Sequence, residues 1–506
     1  MRDNRIIHKT IFSHSIKERR FYHEGRIKTT RKESRKRLEE LKLACELTKL
    51  IHHFFPDLLL LLKKLPDHRN QSYITYPAVV LLMTRILSSI FYISSMRKTS
   101  EEFNSDTAIE NLWTLCGEKT PAVEELPYWE TVNRYLKGLD SGQLQKIVCQ
   151  LCRRLLRSRS FEGNRIRGKY WQVLIDGTQI HSSRGELDGK CLYRVRKRGT
   201  KEEYRENYYY VLEAKLVLHP KVVVSIMTEF VENPEGKESE KQDCERKACW
   251  RLMERLKEEF PRLGICLCGD SLYACERFFE EGEGKKWKYI VRFKERSIPY
   301  VADEYQSLKK QGKNLRKKRV GNREIRHDYI EGIAYKGYEV NVVEYAEELE
   351  TEYRKGKKKG KKRGTKKEFL FLTNLTVSQR NVEAVAEQGR MRWKIENEGF
   401  NTQKRQGYNL EHPYSKDYQA QKCHYYLIQI GHMIAQLMEA WGKVWEKIGQ
   451  SREQKHRRVL ESFKTVRIKQ EKQRNRTKVP DTVKLKKDEE GGGIKDKIQL
   501  QRDSDS

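Results

Sequence analysis

Two short apolar runs, each followed by an aspartate, constrain the fold of this chain more than any other feature. The first run covers residues 170–175 and ends at Asp176. The second covers residues 265–268 and leads through a glycine to Asp270. Apolar runs of this length that are bounded by polar residues are typical of buried strands. We therefore expect two strands of one sheet, each closed by an acidic residue.

Further strand and helix patterns surround these two runs. The pair His219-Pro220 separates two β-rich segments and favours a hairpin between them. A long charged segment before Pro261 has the periodicity of an amphipathic helix. Together the patterns predict a mixed α/β sheet in one domain, formed by residues 166–294 and 369–445. Its expected elements are strands at 208–218, 222–230 and 289–293, and helices at 237–260 and 272–280.

The segment before the sheet has a helical pattern. Apolar residues recur at three- and four-residue steps in residues 31–165, and several prolines divide the segment into short helices. We predict an all-α domain here, preceded by a basic arm at residues 1–30. The helix that starts at Pro127 and runs to Leu136 has one apolar side and carries Arg134 on another. It is either a core helix or the DNA-reading helix of a helix-turn-helix.

Two segments differ in composition from the predicted sheet domain. Residues 295–368 contain β-prone pieces, at 325–329 and 338–345, and then a basic run with spaced glycines from Arg354 to Lys367. We predict a β-rich insertion whose basic run is a flexible solvated loop or a contact to phosphates. The tail at residues 446–506 is highly charged and nearly free of aromatic residues, so we predict that it is disordered.

The charge of the chain favours an anionic partner. It has 104 Lys and Arg against 72 Asp and Glu, a net charge of +32 spread along 506 residues. Binding to a polyanion releases counterions, so such an excess favours nucleic acid, with a merely solvated basic surface as the alternative. The first residues form no apolar signal region, and the apolar run at 78–93 is short for a membrane span and contains Arg85. We expect a cytoplasmic protein without a membrane segment.

A third acidic residue, Glu396, lies in an Arg-rich segment of helical period. Arg392 and Glu396 are four residues apart and share a helix face. A set of carboxylates without His or Cys suits Mg²⁺ or Mn²⁺, which take oxygen ligands. Each acid also has a structural alternative: Asp176 could belong to a turn, Asp270 could cap a helix, and Glu396 could form a surface ion pair. The combination of the three favours a metal site.

At these residues the sequence resembles the DDE transposases of bacterial insertion sequences. The resemblance covers residues 120–435 and rests on Ile-Asp176-Gly-Thr, on Gly-Asp270-Ser-Leu-Tyr, and on Arg392-x3-Glu396 followed by Gly-Tyr-Asn-Leu-Glu-His. It implies an RNase H-like catalytic core with a β-strand insertion between the second Asp and the Glu.

The match departs from the family signature Tyr-x2-Arg-x3-Glu-x6-Lys at two positions. Gly389 stands at the Tyr position, and Gln403 stands at the Lys position with Lys404 one residue later. Glu398 is therefore a rival for the third acid, because it would place the basic Arg405 at the Lys position. We prefer Glu396, since it keeps the Arg-x3-Glu spacing.

The resemblance also implies an activity and its residues. Asp176, Asp270 and Glu396 would hold two Mg²⁺ or Mn²⁺ ions; water would nick the transposon end, and the freed 3′-hydroxyl would attack target DNA. The DNA end would be held by Arg392, Lys404, Arg405 and Tyr408. The expected partner is double-stranded DNA, bound by a homodimer at the bacterial nucleoid. The alternatives are an RNase H-like nuclease or domesticated relative, and a non-catalytic DNA-binding protein.

Overall fold

The computed structural model describes residues 42–119, 123–188, 190–234, 242–311, 314–352, 362–441, 445 and 451–469. The predicted basic arm at 1–30 and the tail beyond residue 469 lie outside this part. The described helices are α1 (Leu43–Phe54), α2 (Leu58–Lys63), α3 (Ala78–Ile90), α4 (Met96–Glu102), α5 (Asp106–Cys116), α6 (Trp129–Gly138), α7 (Ser141–Arg157), α8 (Glu245–Glu259), α9 (Glu276–Gly284), α10 (Pro299–Lys309), α11 (Val382–Arg390), α12 (Thr402–Arg405), α13 (Tyr418–Trp441) and α14 (Arg452–Thr465). A π-helix, Ile395–Asn401, follows α11.

One mixed sheet runs through the described residues, and its centre has the RNase H-like arrangement. Along the sheet the order is β2-β3-β1-β5-β6-β10-β9-β8-β7, with β4 also paired to β3. β1 pairs antiparallel with β3 and parallel with β5, and β5 pairs parallel with β6. The strands are β1 (Trp171–Ser183), β2 (Leu192–Arg196), β3 (Tyr204–His219), β4 (Val222–Val231), β5 (Ile265–Gly269), β6 (Lys288–Phe293), β7 (Arg316–Val320), β8 (Arg323–Tyr335), β9 (Tyr338–Glu352) and β10 (Lys362–Thr373).

The predicted fold class is confirmed: a mixed α/β core with a β-rich insertion follows a helical N-terminal part. The strands on either side of His219-Pro220 form the expected hairpin of β3 and β4. The two faces of the sheet bury separate cores. Val173 and Ile175 belong to the core that α8 and α9 cover. Leu174 and Cys268 belong to the core that α11 and the π-helix cover.

The first strand is longer than its apolar run. We expected it to end at residue 175, but β1 continues past Asp176 to Ser183 because β3 goes on pairing with it, from Asp176↔Glu213 to Ser183↔Asn207. Its parallel partner β5 ends earlier, since the last parallel pair is Leu174↔Cys268. Asp176 therefore lies within a strand but beyond the end of β5.

The insertion extends the central sheet. β10 pairs with β6 of the core through Leu370↔Phe293 and with β9 of the insertion along its whole length. The end of the basic run is a strand from Lys362 onward, where we predicted a loop; residues 353–361 lie outside the described part. In the ladder Lys366 and Lys367 lie opposite Glu348 and Glu347 of β9, a placement of unlike charges that favours strand pairing.

The N-terminal helices share a core with the C-terminal helices. Helix α3 is buried on nearly every side and packs against α13, and α14 packs against α5 and α1. The tail that we predicted to be disordered from residue 446 thus contains an ordered helix. Its Val459, Leu460 and Phe463 are buried, an apolar stripe that is hard to see within a highly charged segment. Within the part of the chain that the structure describes, no helix is both long and apolar enough to cross a bilayer.

Candidate active site

The two aspartates lie side by side at neighbouring strands, Asp176 within β1 and Asp270 directly after β5. The parallel register pairs Leu174 with Cys268, and Asp176 and Asp270 each follow two residues later. Because side chains alternate along a strand, Asp176 projects from the same face as Leu174. Adjacent strands are about 4.8 Å apart, so the two carboxyl groups are close neighbours beyond the end of β5. Asp270 also begins a 3₁₀ turn, since its Oδ1 accepts a hydrogen bond from the Leu272 amide at 2.8 Å.

Asp176 is the most perturbed of the predicted site acids. Its side chain is 22% exposed. Its pKa is raised to about 7, first by burial and then by the carboxylates of Glu245 and Asp270, while the Arg392 guanidinium opposes the rise. A perturbed carboxyl group with a specific charge partner is characteristic of functional sites.

Arg392 connects Asp176 to the third acid. Its Nη1 donates to Oδ2 of Asp176 at 3.0 Å, and its Nη2 lies 3.9 Å from Oε2 of Glu396. Lys394 holds this segment against the β3–β4 hairpin, because its Nζ donates to the Pro220 carbonyl at 2.6 Å. Glu396 is 57% exposed. A guanidinium therefore stands between two carboxylates that a metal ion could also bridge.

Glu398 has a different partner from Glu396. It lies 3.7 Å from Nη2 of Arg452, which belongs to α14 and also pairs with Glu439 of α13. Its side chain is 34% exposed. The structure thus pairs Glu396 with the guanidinium that binds Asp176, and Glu398 with the C-terminal helices.

The predicted basic residues differ in their surroundings. Gln403, at the Lys position of the signature, is fully buried, and its Nε2 donates to Gln429 Oε1 at 2.8 Å. Lys404 is partly exposed and pairs with Glu411 at 2.7 Å, and Arg405 is exposed. The π-helix closes i→i+5 hydrogen-bonded turns, each of which holds one residue more than an α-helical turn. A turn of this kind displaces the residues that follow it by one position relative to an α-helix.

Tyr408, the fourth residue expected to hold DNA, lies in the core. It is 2% exposed, and its ring makes edge contacts with Tyr92 and His432 at centroid distances of 5.3 Å and 5.0 Å. It lies close in sequence to Lys404 and Arg405. Its placement favours support of their segment rather than direct contact with DNA.

The structure adds one acid that the sequence did not single out. Glu245, in the first turn of α8, accepts hydrogen bonds from the hydroxyls of Tyr210 and Tyr273, each at 2.6 Å. In the sequence it is one of many charged residues in an amphipathic helix, so no local signal marks it. Its importance depends on two tyrosines that are distant in the chain.

The acids at this edge of the sheet are suited to a hard divalent cation. Carboxylate oxygens are the ligands that Mg²⁺ and Mn²⁺ prefer, and Arg392 already supplies positive charge between Asp176 and Glu396. Among the described residues, no three His, Cys, Asp or Glu side chains lie in positions ready to share one metal ion. The chemistry of these donors fits such a cation, but the positions of the side chains do not yet form its site. Binding would require the side chains to rearrange.

An RNase H-like sheet with acidic residues on two neighbouring central strands defines the class of this domain. The sequence model of the transposase DDE domain matches residues 169–434, more than half of the chain. The chain therefore belongs to the transposase DDE domain family. Among solved structures, a piggyBac transposase synaptic complex with hairpin DNA is similar at a TM-score of 0.40 and 11% identity, over 83% of this chain and 80% of that chain. No curated protein matches the sequence.

Proposed function

We propose that this chain is a DNA transposase that cleaves DNA at transposon ends and joins the freed 3′-hydroxyl to target DNA, in a reaction that depends on a divalent metal. One observation carries the proposal. Asp176 lies in β1 and Asp270 directly follows the parallel neighbour β5, and Arg392 connects Asp176 to Glu396. This arrangement supports the assignment of Asp176, Asp270 and Glu396 as the three acids of the DDE motif.

The proposed metal ligands are Asp176, Asp270 and Glu396. Two Mg²⁺ or Mn²⁺ ions bound there would activate the attacking water or 3′-hydroxyl and stabilise the leaving oxygen. The exposed side chain of Glu396 is free to move toward the two aspartates, because its partner Arg392 is at 3.9 Å rather than in a close ion pair. Glu398 is engaged with Arg452 and is not part of the proposed set.

Arg392 has two proposed roles. In the structure it compensates the charge of Asp176 and brings Glu396 near it. With a divalent cation bound, the guanidinium is available to grip a phosphate of the DNA end, since a planar fork of N–H donors matches phosphate oxygens. Lys404 and Arg405, at the end of the same helical segment, are proposed to contact the DNA backbone. Tyr408 is proposed to support that segment from the core.

The proposed partner is double-stranded DNA, held as two transposon ends by a homodimer, and a target duplex. The net charge of +32 supports a polyanionic partner. Half or more of the hydrogen bonds in protein–DNA complexes go to phosphate and sugar, so a broad basic surface is the expected footprint. The sequences that flank the gene are the natural source of the end to be tested.

The test uses labelled duplexes that carry these flanking sequences, a supercoiled target plasmid, and Mg²⁺ or Mn²⁺. We expect nicked ends and end–plasmid joints from the natural protein and neither product from Asp270→Ala. Glu396→Gln should also lose both products, by about a thousandfold or more if the acid holds a catalytic metal. Glu398→Gln is the matched control two residues away and should keep at least about half of the activity.

The other outcomes identify the alternatives. Cleavage that requires Asp270 but yields no joints would make the protein a nuclease. DNA binding with no product in any metal would make it a non-catalytic DNA-binding protein. Cleavage that survives Asp270→Ala would show that the acids are structural.

A further inference from the structure

Glu245 connects two parts of the fold that adjoin the two aspartates. Its Oε2 accepts a hydrogen bond from Tyr210 on β3, and its Oε1 accepts one from Tyr273, three residues after Asp270. Both distances are 2.6 Å, as expected for hydroxyl groups that donate to a carboxylate. One side chain on α8 therefore binds the strand beside β1 and the turn that follows β5.

The glycines next to the two aspartates leave the space that this arrangement needs. A Cβ atom at Gly177 would lie 2.3 Å from Oη of Tyr210 and 2.5 Å from Oε2 of Glu245. A Cβ atom at Gly269 would lie 2.6 Å from Cδ2 of Tyr273. The Asp-Gly and Gly-Asp motifs are thus explained by the same contacts, since any larger residue would displace the hydrogen-bonded group from one side or the other.

Glu245 reaches the sheet from the side opposite to the acids. Asp176 shares a face with Leu174 and the π-helix, whereas Gly177 shares a face with Ile175 and α8, because side chains alternate along β1. Both carboxylate oxygens of Glu245 already accept a hydroxyl proton. Burial and the nearby Glu245 carboxylate raise the pKa of Tyr210 and of Tyr273 above the usual value, so both hydroxyls remain donors at neutral pH.

We propose that Glu245 is a positioning residue of the active site, which fixes Asp176 and Asp270 relative to each other through Tyr210 and Tyr273. The inference rests on the proposed function, because it concerns the acids that would hold the metal. Removing a group that orients a metal ligand typically weakens metal binding by about 10- to 100-fold. Glu245 would orient the two aspartates through the backbone of β3 and of the turn after β5, because its hydrogen bonds go to Tyr210 and Tyr273. We call the side chains of Glu245, Tyr210 and Tyr273 the Glu245 clamp.

The test measures Mn²⁺ binding to the full chain without DNA, from the loss of the free-ion electron paramagnetic resonance signal. Asp270→Ala identifies the part of the binding that belongs to the proposed site. We expect Tyr210→Phe and Tyr273→Phe each to weaken that part by about 10-fold, with the Mg²⁺ requirement of cleavage raised in parallel. Tyr345→Phe is the matched control, because its hydroxyl donates to Glu347 at 2.6 Å in the insertion, and it should leave Mn²⁺ binding unchanged.

Two further variants separate positioning from direct ligation and from loss of the fold. Glu245→Gln keeps one acceptor oxygen, so its effect on Mn²⁺ binding should resemble that of a single Tyr→Phe change. The combination of Glu245→Gln with Tyr273→Phe should weaken Mn²⁺ binding by less than the sum of the two separate effects on the binding free energy. Gly177→Ala keeps every hydrogen-bonding group but pushes on the clamp, and it should weaken Mn²⁺ binding as well. It also replaces any Tyr→Phe variant that fails to fold.

The results distinguish the two proposals. Asp270-dependent Mn²⁺ binding that is unchanged in Tyr210→Phe, Tyr273→Phe and Gly177→Ala would overturn the positioning role and leave the proposed function standing. Loss of binding in Glu245→Gln alone, with both tyrosine variants normal, would also overturn it, because Glu245 would then be a ligand itself. Wild-type protein that shows no Asp270-dependent binding would refute the metal site of the proposed function.

Discussion

The guanidinium of Arg392 lies 3.0 Å from Oδ2 of Asp176, on a strand more than two hundred residues earlier in the chain. Arg392 is the one partner that lowers the pKa of Asp176 as a nearby positive charge, against burial and two carboxylates that raise it. Burial is the largest cause of the raised pKa, and the ion pair opposes it and favours loss of the Asp176 proton.

Replacement of Arg392 should move the pH dependence of cleavage upward. A neighbouring cation typically lowers the pKa of a carboxyl group by about 1 to 3 units, so Arg392→Gln should let the pKa of Asp176 rise above about 7. The pH at half-maximal cleavage at fixed Mg²⁺ should rise by about one unit or more, together with a lower maximal rate. Arg392→Lys keeps the charge and should show a smaller pH shift. An unchanged pH profile in Arg392→Gln would contradict this role of the ion pair.

The metal-free protein should lose stability as the pH rises through 7, in part because of Asp176. Its pKa is higher in the folded protein, about 7, than the ordinary value of 3.8. The folded state therefore binds the proton more tightly, so this contribution is complete below about pH 4 and is lost as the pH rises through the folded pKa. Between pH 5 and 8 it amounts to about 2 to 3 kcal/mol in the free energy of unfolding.

Asp176→Asn should remove this contribution. Urea unfolding at pH 5 and pH 8 should show a smaller loss of stability in Asp176→Asn than in the natural protein, and the variant should be the more stable of the two at pH 8. Asp303→Asn, at an exposed position of α10, is the control and should follow the natural protein. Equal pH dependence in all three proteins would contradict the raised pKa. Added Mg²⁺ should stabilise the natural protein at pH 8 and not Asp176→Asn.

Part of this site could be predicted from the sequence and part could not. Asp176 and Asp270 were found because each follows an apolar run, and runs of that type report buried strands directly. Glu245 was missed because its role depends on Tyr210 and Tyr273, which reach it only through the folded sheet. A local pattern records periodicity and composition, and it contains no information on which distant side chains meet.

The segment around Glu396 shows a second limit of the same kind. The helical period of this segment favours a continuous helix, but α11 ends at Arg390 and a π-helix begins at Ile395. The fully buried Lys215 packs against this turn. A Cβ atom placed on Gly399 would lie 3.0 Å from Cε of Lys215. The wider turn is set by these tertiary contacts, and helical periodicity alone does not register it.

Lys404 and Gln403 should respond differently to substitution, although they are adjacent. Lys404→Ala should weaken binding to end-containing duplexes and reduce the slope of log affinity against log salt by about one, as for the loss of one phosphate contact. It should leave the free energy of unfolding nearly unchanged, because its ion pair with Glu411 is partly exposed. Gln403→Ala should instead cost about 1 to 3 kcal/mol of stability, since the buried Nε2 of Gln429 would lose its acceptor, Oε1 of Gln403. An unchanged salt slope in Lys404→Ala would contradict its contact with DNA.

The C-terminal helix α14 should be required for a stable fold. Its Phe463 packs on Phe91 and Phe103 at ring-centroid distances of 5.5 Å and 5.7 Å, and Asn111 on α5 donates to the Phe463 carbonyl at 2.7 Å. A chain that ends at Gln450 would expose this apolar surface, and we expect it to melt at a lower temperature or to aggregate. A chain that ends at Lys469 keeps the contacts of α14 and should melt within about 2 °C of the full chain. The free energies of unfolding of these two chains should differ by less than about 1 kcal/mol. Phe463→Ala in the full chain should reproduce much of the lost stability and lower the free energy of unfolding by about 3 to 5 kcal/mol. Equal melting temperatures of the two shortened chains would show that α14 contributes nothing to the core.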